Sequence, residues 1–112
     1  MNLVTIVLNK TECLGALLNA FVKNDIKGAT ILDSIGMARA INEEADLKFV
    51  ASLKLILNPE QEGSKTIFLI AEDDKISKIS NIVNVVTGGL DRPDTGIMFC
   101  VPVSYVEGIN LG

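Results

Sequence analysis

The sequence predicts an α+β domain: a four-stranded antiparallel sheet with two helices on one face. Three observations predict it. Four apolar runs of strand length occupy residues 3–8, 29–35, 65–71 and 97–103. Two further stretches, 11–24 and 72–86, carry apolar residues every three or four positions, the period of a helix. The order is β-α-β, an insertion, then β-α-β. Each β-α-β unit crosses over with right-handed sense. The simplest packing of two such units is the split β-α-β, or ferredoxin-like, arrangement βαββαβ.

Strand 1 (LVTIVL) is rich in β-branched residues and apolar on both alternations. Thr11 or Glu12 opens helix 1, whose face is Leu14, Leu17, Leu18, Phe21 and Val22. Asp25-Ile26-Lys27-Gly28 turns out of it, with the glycine as the expected stop. Strand 2 (ATILDSI) follows. Residues 36–64 are less regular. Asn42-Glu43-Glu44-Ala45-Asp46 is acidic and reads as a solvated face. Phe49, Leu53, Ile56 and Leu57 share one helical face, so an extra short helix is expected at 49–57, stopped by Asn58-Pro59. Those apolar residues read as packing more readily than as a docking stripe. An insertion this long between strands is either structured or functional.

Strand 3 (KTIFLIA) runs into Glu72-Asp73-Asp74, acids placed where a helix dipole favours them. Ile76, Ile79, Ile82, Val83 and Val86 then form the inner face of helix 2. Gly88 and Gly89 stop it. Asp91-Arg92-Pro93-Asp94-Thr95-Gly96 is a polar loop, and strand 4 (IMFCVPV) follows. Pro102 has no N–H, so the end of strand 4 is expected at an edge of the sheet.

Composition narrows the function. With 112 residues the chain makes one domain. Its hydrophobic share is 48% and its mean hydropathy +0.39, high for a domain with so much surface. A net charge of −4 without a basic run argues against nucleic acid and anionic membranes. Aromatic residues make up 4%, with no Trp, so base-stacking platforms are not expected. There is no His, which removes imidazole catalysis and His-metal sites. No nucleophile–base pair can be assembled, leaving the carboxylates Asp91 and Asp94 as the one enzymatic alternative; no catalysis is expected. Cys13 and Cys100 lack CxxC-type spacing and read as small buried hydrophobes. No signal-like or membrane-spanning run is present, so a reduced cytoplasm is the expected location.

One pattern stands out. Two helices cover one face of a four-stranded sheet, yet the strands are apolar on both. Leu3, Thr5 and Val7 oppose Val4, Ile6 and Leu8; Ile67 and Leu69 oppose Phe68 and Ile70. An apolar face of that size exceeds what monomers leave open. It is expected to be covered by self-association or by the 49–57 helix.

Four stretches together resemble the PII superfamily of nitrogen regulatory signalling proteins. They are Gly28-Ala29-Thr30 entering strand 2; Gly36 to Arg39 at the start of the insertion; IFLIAEDD at 67–74; and Thr87-Gly88 followed by Gly96 and FCVPV. The resemblance spans nearly the whole chain. It implies a homotrimer with sheets facing inward and a small-molecule effector, often ATP, ADP or 2-oxoglutarate, in clefts between subunits. It also implies that the 37–60 insertion is a signalling T-loop acting on a partner protein. Residues Gly28, Thr30, Gly36, Thr87, Gly88 and Gly96 match positions near the nucleotide, and Arg39 an early T-loop basic residue. Arg92, the only cation of the 88–96 loop, is a further ligand candidate, although it reads more readily as a solvated salt bridge with Asp91 or Asp94; Thr30 likewise reads more readily as a β-propensity choice than as a ligand contact. The chain departs from the family where phosphate would be held. Ile97 stands where the family has a lysine, Ser64 and Phe68 where strand 3 carries a lysine and a glutamate, and 104–112 has no basic residue. A triphosphate needs several donors and compensating charge, so ATP is expected to bind weakly or not at all. A trimeric metal-tolerance protein of the CutA type shares the topology and is the alternative, disfavoured by the lack of His and of a thiolate cluster.

Overall fold

The computed structural model describes residues 1–37 and 63–109. The elements are β1 (Asn2–Leu8), α1 (Leu14–Lys23), β2 (Thr30–Ser34), β3 (Ser64–Ala71), α2 (Ile76–Thr87) and β4 (Gly96–Pro102). Both helices are entered through a single 3₁₀ turn, Thr11–Cys13 and Asp73–Lys75, where the sequence predicts helix from the outset. Tightened first turns of this kind are common at helix ends. The expected helix at 49–57, the acidic run at 42–46 and Arg39 lie outside the described residues.

The strands form one antiparallel sheet in the order β2-β3-β1-β4. This is the ferredoxin-like α+β fold. β1 and β3 lie in the centre; β2 and β4 are the edges. Pro102 ends β4 on an edge, opposite Asn2, as its missing N–H requires.

The core lies between the sheet and the helices. β1 supplies Val4, Ile6 and Leu8; β3 supplies Ile67, Leu69 and Ala71. From above come Leu17 and Phe21 of α1 and Ile79, Ile82 and Val83 of α2. Period two in the strands meets period 3.6 in the helices, so alternate strand residues and one helical stripe share a single apolar layer.

The exit from α1 differs from the sequence expectation. The helix is stopped by Asp25 rather than by Gly28. Asp25 takes the left-handed conformation (φ 60), its N–H donates to the Val22 carbonyl at 3.1 Å, and the Ile26 N–H reaches the Phe21 carbonyl at 2.8 Å. These are the two bonds of a Schellman cap, and Ile26 is buried beneath it. The polar side chain of Asp tolerates this conformation better than most, which is why no glycine is needed. α2 ends as expected, on Gly88 at φ 88.

The cysteines are both free and half-buried. Cys100 packs against the core, whereas Cys13 sits at the start of α1.

Candidate functional site

Two regions hold the sequence-derived candidates: the face of the sheet turned away from the helices, and the loop between α2 and β4.

Strand register fixes the open face. Leu3 is paired with Ile70 and Val101, Thr5 with Phe68 and Phe99, and Val7 with Thr66 and Ile97. Thr30 and Leu32 extend these rows onto β2. Residues of this face on the central strands are half-buried. Those at the edges are open: Ile97 is 58% exposed, Leu32 51%, Phe99 47% and Val101 44%. A hydroxyl cluster interrupts this apolar surface at the root of the insertion. Ser34 Oγ lies 2.8 Å from both Ser64 Oγ and Thr66 Oγ1, so three polar groups satisfy one another beside the face.

The two edges differ. Asp33 of β2 is ion-paired across the ladder with Lys65. β4 reads GIMFCVP and has no charged residue. Charges on an edge discourage pairing with other chains, and β4 lacks that protection.

The 88–96 loop is tied at both ends. Thr87, the last residue of α2, is 1% exposed. Its hydroxyl donates to the Val83 carbonyl at 2.7 Å and accepts the Gly89 N–H at 3.3 Å. The Leu90 N–H donates to Asn84 Oδ1 at 2.9 Å, and Arg92 N–H to the Gly89 carbonyl at 3.2 Å. Lys10 Nζ donates to the Thr87 carbonyl at 3.1 Å, a cation on a helix C-terminus. The Thr95 carbonyl accepts from the N–H groups of Asn9 and Lys10. Gly96 has φ 148, and a Cβ there would collide with the Val7 carbonyl oxygen. Only glycine lets β4 approach β1 at this point.

Among the candidates, Thr87, Gly88, Arg92 and Gly96 lie in the one stretch that runs from the end of α2 to the start of the edge strand β4. Arg92 is exposed, flanked by the exposed Asp91 and Asp94. Gly28 (φ 80) and Thr30 lie at the β2 edge, both exposed, and Gly36 follows that strand. β2 and β4 are three strand spacings apart, roughly 14 Å. A single copy therefore does not unite the two groups. Lys10 and Asn84 play parts in the loop that the sequence reading did not single out. Each makes a contact with residues distant along the chain or around a turn, and neither position carries a motif.

Among the described residues no helix is long and apolar enough to cross a membrane. No protein-family model matches the chain, and no curated protein matches it in sequence.

Proposed function

We propose that the chain is a non-catalytic regulatory protein of the PII kind, a cytoplasmic homotrimer. It would sense a small-molecule effector in crevices between copies and act on a partner protein through the 37–60 insertion. One observation carries the reading: the sheet face away from the helices, with Leu3, Val7, Phe68, Ile70, Ile97, Phe99 and Val101 in adjoining rows and its outer members open. Apolar surface of this extent is stabilised by burial against another surface. A second copy supplies one of matching character. The placement of Gly28 and Thr30 on one edge and Arg92 on the other supports it further, because a neighbouring copy is what could join them.

Sedimentation equilibrium at micromolar concentration tests the assembly. A trimer has three times the 12.0 kDa of one chain. A 12.0 kDa species at that concentration removes the reading. Deletion of residues 42–58 tests the output. The shortened chain should still assemble but lose its partner, and an unchanged partner set would show that the insertion is not the signalling element.

A further inference from the structure

We infer that the 88–96 loop is a structural clasp and not a phosphate cradle, so the crevice beside it refuses nucleoside triphosphates. This deepens the reading above by excluding the effector class that the family resemblance implies.

The argument is one of donors, charge and space. A phosphate cradle works when successive backbone N–H groups converge on an empty concavity. Here the N–H groups of Gly88, Gly89, Leu90 and Arg92 donate within the loop and its helix, to the Asn84 carbonyl, Thr87 Oγ1, Asn84 Oδ1 and the Gly89 carbonyl. Freeing them for a ligand would leave their present acceptors unpaired, Thr87 Oγ1 being buried.

Charge points the same way. The loop holds one guanidinium, Arg92, between two carboxylates, Asp91 and Asp94. Asp91 Oδ1 stands 2.5 Å from where a Cβ of Gly89 would be. The loop thus places its own anion against the glycine backbone that a phosphate would have to approach. Lys10 is held on the Thr87 carbonyl from the β1 side. The position that opens β4's apolar row is Ile97, with no cation to offer.

What these bonds accomplish is mechanical. They join the end of α2 to the exit of β1, through Lys10 to Thr87 and through Asn9 and Lys10 to Thr95. Gly96 then lets β4 enter the sheet hard against Val7.

The test uses the full chain, with its assembly state checked by sedimentation in every sample. MgATP, MgADP and inorganic triphosphate are titrated while the melting temperature is followed. At about 1 mM nucleotide, a dissociation constant near 10 µM would raise melting by roughly 10 °C. The expected shift is nil for all three. Asn84→Ala, which removes the acceptor of the Leu90 N–H, is expected to lower melting by several degrees and still not bind. A saturable MgATP shift that Arg92→Ala abolishes overturns the inference, as does an Asn84→Ala chain that melts like the parent. Neither result bears on the assembly, which sedimentation reports separately.

Discussion

Asp25 shows how one side chain sets a boundary that a motif search places elsewhere. The chain offers a glycine three residues further on, and the sequence expectation put the helix stop there. The structure stops α1 on Asp25 because Ile26 then reaches the core and closes the Phe21 carbonyl. A left-handed conformation costs most residues about 1–2 kcal/mol, and Asp less. Asp25→Gly is therefore expected to stabilise the domain by up to about 1 kcal/mol, with the gain reduced by the added freedom of the unfolded chain. It would be read as a rise of a few degrees in melting temperature. The exposed Asp25–Lys27 pair, 3.3 Å apart, contributes little and its loss should not reverse the sign.

Among the elements, β4 carries the sharpest expectation. Its inner residues Met98 and Cys100 pack on the core, while Ile97, Phe99 and Val101 face outward on an edge with no charge. Phe99→Lys would place a charge halfway along β4, at one edge of the open face, without touching the helix-covered core. The expected outcome is a folded chain whose association is weakened at least about tenfold, measured by sedimentation across a dilution series. Circular dichroism should show the secondary structure unchanged. If the mass distribution stays as in the parent, copies do not meet through this face. The analogous change on the other side of the strand pair, Ile6→Lys, would instead unfold the domain, since Ile6 is fully buried.

At the scale of the molecule, the sheet and its two faces were legible because alternation in a strand is local. Val4, Ile6 and Leu8 separate from Leu3, Thr5 and Val7 by parity alone, and helix stripes such as Leu17–Phe21 and Ile79–Val83 separate by spacing. The split β-α-β arrangement was legible as the simplest packing of two right-handed crossovers, while the order β2-β3-β1-β4 is given by the structure. The loop between α2 and β4 was legible only as a loop. Its bonds join residues far apart in sequence, Lys10 to Thr87 and Asn9 to Thr95, or turn on one amide, Asn84, that has no distinguishing neighbours. Resemblance marked Thr87 as a ligand position, but its burial and its bonded hydroxyl are properties of packing, which no short motif encodes.

Under the proposed assembly, the distance between the two edges of the sheet has a genetic consequence. Crevices shared by adjoining copies would draw Thr30 from one chain and Arg92 from another. Two defective chains, one spoiled at each position, could then repair each other when mixed. Some crevices in the hybrid would carry both lesions, and others would carry neither.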